Sequence, residues 1–317
     1  MYQEPIFLTP VFQERIWGGD KLKTLFGYSI PNDLTGEAWV ISAHKNGPSM
    51  INNGSLQGQS LAQAWSEHPS LFGKETTEGD FPLLVKILDA NDNLSVQVHP
   101  NDAYAQQVEG EPYGKTECWY VLDCEPDSEI IFGHRAETQE DFKRRVDAGQ
   151  WDDLLMSVPV KKGDFYYVPS GTIHAIGKGI VILEIQQSSD ITYRVYDYDR
   201  KDAEGNTREL HIQSAIEVTT YPHSSNAPEI EEQIVGDLVS TRLVKEQYFT
   251  VYDWKLNGRT VTPLQADYLL VSVVNGTGQI IVDGRSFPLK KGDNFMLPAT
   301  VSSYEIAGDL EMMVAHE

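Results

Sequence analysis

The sequence contains only two cysteines, Cys118 and Cys124, in 317 residues. Two thiols cannot supply a disulfide framework or a thiolate zinc site, and such low use of cysteine is consistent with a reducing compartment. Positive charge is scarce as well, because 25 Lys and Arg stand against 47 Asp and Glu, which leaves a formal net charge of −22. So acidic a surface repels nucleic-acid phosphates and anionic lipids. We therefore expect no nucleic-acid partner and no membrane partner, although a small anion could still bind in a focused pocket.

Long apolar runs are also missing. No run approaches the roughly 18 to 20 residues that a membrane-spanning helix needs, and residues 1–10 lack the basic and apolar segments of a signal peptide. We therefore expect a cytoplasmic protein. With 317 residues, of which 40% are hydrophobic, the chain is long enough for two domains or for one elaborated domain.

Short apolar segments separated by Gly, Pro, Asn and Asp fill most of the sequence and are typical of β-strands. The predicted strands span residues 37–43, 83–88, 94–98, 116–122, 129–132, 164–168, 181–186, 268–275, 279–283, 295–297 and 311–315. Helical patterns are few, and Ser60, Asn101 and Thr138 can each cap a short helix. Strands that do not alternate with long helices predict closed or sandwiched antiparallel sheets.

A short internal repeat relates two parts of the chain. Residues 160–169 (VKKGDFYYVP) match residues 289–298 (LKKGDNFMLP), with Gly-Asp and Pro at the same spacing. The polar, Pro-containing residues 221–234 predict a linker between these parts. We therefore expect two related β-barrels, over residues 1–225 with short helical insertions and over residues 226–317. The second barrel is expected to lack metal ligands, because the repeat aligns Ser303 with His174.

Three segments carry candidate metal ligands. In Ser95-Val-Gln-Val-His-Pro100, Gln97 and His99 are two residues apart on a strand and project from one face. In the strand after Lys115, Glu117 shares a face with Lys115 and Trp119, and a carboxylate inside an apolar strand is costly unless a cation neutralises it. Each feature alone could instead be a satisfied histidine or a solvated charge.

The third segment, residues 163–175 (GDFYYVPSGTIHA), is the most specific. Gly, five residues, Pro, one residue, Gly, two residues and His is the second sequence motif of the cupin superfamily, and it ends at His174. Two imidazoles, a carboxylate and a carboxamide without thiolates form a mixed N/O set that suits zinc, or alternatively manganese or iron. We expect the remaining histidines of this half to lie at the surface; they are His44, His68, His134, His211 and His223.

A wider resemblance extends these motifs. Residues 82–90 (PLLVKILDA), followed by LSVQVHP, resemble the core of the type I mannose-6-phosphate isomerases. Supporting matches are RIWGG at 15–19, GEAW at 36–39 and KTE at 115–117, and Glu184, Ser189, Asp190 and Arg194 follow the family's second block. The resemblance covers about residues 5–200 well and the remainder weakly. The sequence departs from the family at residues 113–117, where YGKTE replaces Asn-His-Lys-Pro-Glu, and it is similar to the compact bacterial members.

This resemblance implies two cupin-type jelly-roll barrels and an aldose-ketose isomerase that converts mannose 6-phosphate to fructose 6-phosphate through an enediol. It also implies one zinc ion per chain, bound by Gln97, His99, Glu117 and His174. By matched position Arg194 is the catalytic arginine, and the phosphate is contacted by Ser95 and Arg200. We assign Lys115 as proton donor or acceptor, with its pKa lowered by the cation. In the segment from 193 to 200, Asp197 or Asp199 could instead simply pair with the two arginines.

Three other functions are compatible with the same metal ligands. A cupin oxygenase would use iron, although such sites usually contain more histidines than this one. A metal-stabilised module could bind a sugar phosphate without turnover, which the set of acid/base candidates beside the metal argues against. A cupin-type glucose-6-phosphate isomerase would carry out the same type of reaction on another substrate.

Overall fold

The computed structural model describes residues 2–201, 205–225 and 227–317. In these residues the strands are, in chain order, β1 (Ile6–Thr9), β2 (Val11–Gly19), β3 (Thr35–Ser42), β4 (Met50–Ile51), β5 (Leu83–Ala90), β6 (Val96–Val98), β7 (Glu117–Cys124), β8 (Glu129–His134), β9 (Leu155–Pro159), β10 (Phe165–Val168), β11 (His174–Ile176), β12 (Ile180–Gln187), β13 (Tyr193–Tyr196), β14 (Glu231–Val235), β15 (Leu238–Lys245), β16 (Thr250–Pro263), β17 (Leu269–Val282), β18 (Arg285–Lys290), β19 (Asn294–Leu297) and β20 (Ser303–His316). The mainly β architecture expected from the sequence is confirmed.

The helices of the described residues are short. They are α1 (Lys21–Phe26), α2 (Leu61–Glu67), α3 (Asp102–Tyr104, continued by a π-turn over Ala105–Glu109), α4 (Gln139–Asp147), α5 (Trp151–Leu154) and α6 (Ile212–Val218), with 3₁₀ turns at Gly54–Leu56 and Pro69–Phe72. The three predicted caps are confirmed, because the side chains of Ser60, Asn101 and Thr138 each accept a hydrogen bond from a main-chain N–H of the following turn. Within the described ranges, no helix is both long and apolar enough to cross a membrane.

Three antiparallel sheets organise the chain. A six-stranded sheet has the order β10-β7-β12-β5-β3-β2, and a five-stranded sheet has the order β13-β6-β11-β8-β9. The third sheet has the order β14-β15-β16-β20-β17-β19-β1-β4, with β18 on β17. The first two sheets face each other in the first half of the chain and form the cavity described below, whereas the third contains every strand of the second half.

Two details differ from the sequence-based expectations. Strand β14 begins at Glu231, inside the predicted linker 221–234, and its exposed, charged side chains hide it from a search for alternation. Strand β1 pairs with β19, with Ile6 opposite Met296, so the start of the chain belongs to the sheet of the second half. The division at residue 225 stays a prediction.

The expectation that five histidines lie at the surface is wrong for two of them. His44 is buried against the Trp39 ring. His134 is buried between Phe142 and Tyr221, and its Nε2 lies 3.0 Å from the carbonyl oxygen of Thr220. Both imidazoles pack on aromatic rings, which their polar sequence surroundings do not reveal.

Candidate active site

Two rows of side chains cross the facing sheets of the first half. In the five-stranded sheet, Arg194 on β13 is opposite Gln97 on β6, which is opposite His174 on β11. Directly opposed residues of an antiparallel pair share a face, so these three side chains are neighbours. The row of the six-stranded sheet follows from the register of β7, β12, β5 and β3 and consists of Trp119, Glu184, Lys86 and Trp39.

The four predicted metal ligands come together where the two rows meet. The Nε2 atoms of His99 and His174 lie 3.6 Å and 3.4 Å from the two carboxylate oxygens of Glu117. The Gln97 amide approaches His174 Nε2 at 3.4 Å, and rotation of the amide by a half-turn would direct its oxygen there instead of its nitrogen. The side chains of His99, Glu117 and His174 are almost completely buried.

Main-chain carbonyls orient both imidazoles. His99 Nδ1 lies 2.8 Å from the carbonyl oxygen of Ile191, and His174 Nδ1 lies 2.8 Å from that of Thr172. When Nδ1–H donates to a carbonyl, Nε2 carries no proton and its lone pair points toward Glu117. A histidine that binds a metal through Nε2 needs this tautomer. Burial, then the charge of Lys115, lowers the pKa of His174 to about 4, and the same two causes lower that of His99. Both rings are therefore neutral near pH 7.

These residues suit a divalent metal ion. One atom from each of His99, Glu117 and His174 can be chosen so that all lie within 4.8 Å of one another. Two imidazole nitrogens, a carboxylate and an amide oxygen form a ligand set for a borderline metal with room for a further ligand.

Lys115 lies next to this cluster. Its Nζ is 2.5 Å from Glu117 Oε2 and 3.1 Å from His99 Nε2, and the side chain is buried. Burial alone lowers the pKa of Lys115, but the charges of Glu117 and Glu184 outweigh burial and raise it. The charges of the protein alone therefore raise the pKa of Lys115, whereas we expected a bound cation to lower it.

Sequence reasoning missed a role for Lys86 and noted Glu184 only as a match of spacing. Lys86 Nζ lies 3.5 Å from Glu184 Oε1 and over the ring of Trp39, and both charged residues are buried. Trp119 Nε1 donates to carboxylate oxygens of Glu117 and Glu184 at 3.0 and 3.1 Å. The sequence does contain a signal for Lys86, because it is an isolated charge inside a continuous apolar strand, Leu-Val-Lys86-Ile-Leu. Such a charge predicts a buried partner of opposite charge.

A cavity of about 440 Å³ opens onto this cluster. Ser95, Gln97, Lys115 and Arg194 line it, as the sequence suggested. Its walls carry five cations against four carboxylates, namely Arg15, Lys86, Lys115, Arg194 and Arg208 against Glu14, Glu37, Glu184 and Asp190. The formal balance of the lining residues is +1, on a protein of net charge −22, so this cavity repels a small anion less than the rest of the surface does.

Arg200 does not line this cavity. Its guanidinium donates to Asp197 at 2.6 Å, to Asp92 at 3.2 Å and to the carbonyl oxygen of Asn93 at 2.6 Å. The sequence left open whether Asp197 pairs with Arg194 or Arg200, and in the structure it pairs with Arg200. Arg194 has no ion pair with Asp197 within 4.0 Å, and the second arginine on that carboxylate is Arg208.

Comparisons with known proteins agree with these features. The family model described as phosphomannose isomerase type I, catalytic domain, matches residues 6–127, and that of the mannose-6-phosphate isomerase cupin domain matches residues 239–317. Mannose-6-phosphate isomerase ManA of Bacillus subtilis is 50% identical over 100% of both chains. The mannose-6-phosphate isomerase of Streptococcus mutans is 51% identical over 99% of this chain and 98% of its own.

Solved structures show the same fold. The crystal structure of the mannose 6-phosphate isomerase from Bacillus subtilis superposes with a TM-score of 0.97 at 46% identity, over 99% of this chain and 100% of that one. A mutant of phosphomannose isomerase from Salmonella typhimurium has a TM-score of 0.79 at 16% identity, over 99% of both chains. The cupin-type architecture that the sequence motif implied is thereby confirmed.

Proposed function

The chain belongs to the type I mannose-6-phosphate isomerase family and is an isomerase of that kind, and we propose that it interconverts mannose 6-phosphate and fructose 6-phosphate with one zinc ion. The ligands of this ion are Gln97, His99, Glu117 and His174. The observation that carries the proposal is the pair of imidazoles that turn Nε2 toward one buried carboxylate beside a net cationic cavity.

When bound, the zinc ion supplies a Lewis acid that polarises the carbonyl oxygen of the open-chain sugar. The reaction moves a proton between C1 and C2, and negative charge develops on O1 and O2 in the enediolate. Lys115, whose Nζ lies within the ligand cluster, is the proton donor or acceptor: its neutral amine takes the proton from one carbon and returns it to the other. A bound divalent cation would take over the carboxylate of Glu117 and so favour this neutral form. Arg194 is adjacent to Gln97 and stabilises the enediolate charge, while Ser95 contributes a hydroxyl for the phosphate.

The direct test is removal and return of the metal. Chelation should abolish conversion of mannose 6-phosphate to fructose 6-phosphate, and stoichiometric zinc should restore it, as measured by a coupled assay alongside elemental analysis of the protein as isolated. Manganese and iron should be added in parallel, because the ligand set also accepts them. Full activity of the metal-free protein would contradict the zinc mechanism.

The same samples separate this proposal from the alternatives. Iron in the isolated protein together with oxygen consumption would favour an oxygenase. Sugar-phosphate binding without turnover in the zinc-loaded protein would favour a binding module, and preference for glucose 6-phosphate would identify a different isomerase. We also propose a cytoplasmic location, which the two free cysteines support.

A further inference from the structure

Three arginines line the cavity. Arg15 lies on β2, Arg194 on β13, and Arg208 in the segment before α6. Like charges repel, so three guanidinium groups on one cavity are unfavourable unless carboxylates or a bound anion compensate them. Which of the three have such a carboxylate is therefore informative.

Two of the arginines are held rigidly by one carboxylate each. Arg15 donates from Nε and Nη2 to the two oxygens of Glu37 at 2.9 and 3.2 Å. Arg208 donates from Nε and Nη2 to the two oxygens of Asp197 at 2.8 and 2.6 Å. Such two-point pairing fixes the plane of a guanidinium and orients the groups that remain free.

The third arginine, Arg194, has no such two-point pairing with a carboxylate among the described residues. Within the described residues, Nε of Arg194 is buried and has no hydrogen-bond partner. Burial, followed by the charges of Arg208 and then Arg15 among the causes, lowers the pKa of Arg194. All three guanidinium groups line one cavity, so a dianion bound there would lower their mutual repulsion.

We propose that Arg15 and Arg208, oriented by Glu37 and Asp197, bind the phosphate group of the substrate in this cavity. This inference rests on the proposed isomerase function and names the groups that select a phosphorylated sugar. A guanidinium fork matches the geometry of phosphate oxygens, and its fixed orientation lowers the entropic cost of binding. Arg200 then has an indirect role, because it donates to the same Asp197 Oδ1 that accepts from Arg208. We assign Arg200 as a positioning residue rather than a phosphate ligand.

The test compares single substitutions in the zinc-loaded enzyme. Arg208→Gln and Arg15→Gln should each raise KM for mannose 6-phosphate and the dissociation constant of inorganic phosphate by about 10- to 100-fold, with a much smaller change in kcat. Arg200→Gln should change the same constants by only about two- to fivefold, and Arg200→Lys, which keeps a charge beside Asp197, should restore most of the loss. Phosphate binding is measured by calorimetry and by competitive inhibition.

Arg259→Gln is the matched control. Arg259 also pairs with a carboxylate, Glu305 at 2.7 Å, but it lies on β16 in the second half, so its removal should leave all these constants unchanged. Thermal melting of each variant shows that the fold is retained. The inference is overturned if wild type binds no inorganic phosphate, or if Arg208→Gln and Arg15→Gln lower kcat while KM and phosphate affinity stay unchanged. Failure of the isomerase proposal looks different, because a protein that does not convert mannose 6-phosphate would still lose phosphate binding in these two variants.

Discussion

The imidazoles of the proposed metal site are held by the backbone carbonyls of Ile191 and Thr172, and not by carboxylate side chains. A backbone acceptor cannot be removed by substitution, so the orientation of His99 and His174 depends on the course of the chain itself. The charged residues around them are different, because Lys115, Glu184 and Lys86 hold one another through side chains alone. At the scale of single residues, the electrostatic environment is therefore easier to change than the ligand geometry.

Arg194 should affect turnover more than binding. Because it neighbours Gln97 across the strand pair, its charge is in a position to stabilise an enediolate that exists only during the reaction. We expect Arg194→Ala to lower kcat by about 100-fold or more, with a change in KM of less than about tenfold. Steady-state kinetics measures both. Arg194→Lys, which keeps the charge but not the fork, should recover part of kcat, and a rise in KM at constant kcat would instead place Arg194 among the substrate-binding groups.

Glu37 should make the free energy of unfolding depend on pH in the acidic range. Burial alone raises its pKa, but Lys86 and Arg15 outweigh burial, and hydrogen bonds from Trp39 and Arg15 add to their effect, so the pKa falls from 4.5 to about 2. A carboxyl whose pKa is lower in the folded state stabilises fully above pH 4.5 and loses this contribution as pH falls toward 2. The loss amounts to about 3 kcal/mol at most.

Glu37→Gln should remove this dependence. Urea unfolding between pH 2 and pH 6, with chelator present so that metal release does not contribute, should give a flatter curve of unfolding free energy for the variant than for wild type. Asp141→Asn is a suitable control, since Asp141 pairs with Arg145 on the surface of α4 and contributes little. Parallel curves for wild type and Glu37→Gln would contradict the assignment.

At the scale of elements, the turn Pro169-Ser-Gly171 connects His99 and His174, the two imidazoles of the proposed metal site. Gly171 has φ of +86°, its N–H donates to the carbonyl oxygen of His99 at 2.9 Å, and His174 follows three residues later. A Cβ at this position would lie 2.5 Å from Thr220 Oγ1 and 2.9 Å from the carbonyl oxygen of Val218. Glycine is therefore required both for backbone conformation and for space.

Gly171→Ala should thus weaken both the fold and the metal site. We expect a loss of about 2 kcal/mol or more in unfolding free energy and a zinc dissociation constant raised by about tenfold, since strain at this turn displaces His99 and His174 together. Denaturant unfolding and zinc competition with a chelator measure these effects. Gly163→Ala is the matched control, because Gly163 has φ of +89° but no close atom nearer than Tyr120 Oη at 4.0 Å; it should cost about 1 kcal/mol without affecting zinc. Equal zinc affinity in both variants would contradict the role of the turn.

Alternation along single strands predicted which candidate site residues share a face. It placed Gln97 with His99 on one face, and Glu117 with Lys115 and Trp119 on another, because each pair is two residues apart on a strand. Cys118, the next residue after Glu117, lies in a buried hydrophobic cluster. These predictions needed no knowledge of which strands are neighbours.

The register between strands that are distant along the chain could not be predicted from the sequence. The pairing of Arg194 with Gln97 joins residues 97 positions apart, and Lys86 meets Glu184 across two strands that are similarly distant. Arg208 lies in an irregular segment where no period applies, so the cavity lining could not be derived from alternation. Family resemblance supplied Arg194 and also suggested Arg200. The sequence named Asp197 as one possible partner of Arg200, but its second partner, Asp92, lies 108 residues away and is seen only in the folded chain.

At the scale of the whole molecule, the two halves share one core. Tyr268 of the second half packs against the rings of Phe72 and Phe81 with centroids 5.7 Å away, and these three residues belong to one buried cluster. The main-chain N–H of Ala299 donates to the carbonyl oxygen of Leu71 at 2.8 Å. Together with the pairing of β1 on β19, these contacts predict that the second half supports the half that carries the metal ligands and unfolds with it.

This coupling can be tested with a fluorescent reporter confined to the first half. Five of the six tryptophans lie there, so Trp254→Phe leaves fluorescence that reports only on that half. Tyr304 is buried in a cluster made almost entirely of second-half residues. In the Trp254→Phe protein, Tyr304→Ala should lower the midpoints of both the fluorescence and the far-UV circular dichroism transitions. The loss should be about 3 kcal/mol or more, because an aromatic ring leaves a cavity in a packed core. Val261→Ala, at an exposed site of the same half, should move neither midpoint. If the halves fold independently, the fluorescence transition of the Tyr304→Ala variant will keep the midpoint of its Trp254→Phe parent. Part of the circular dichroism will then be lost at a lower denaturant concentration, because the second half unfolds without the first.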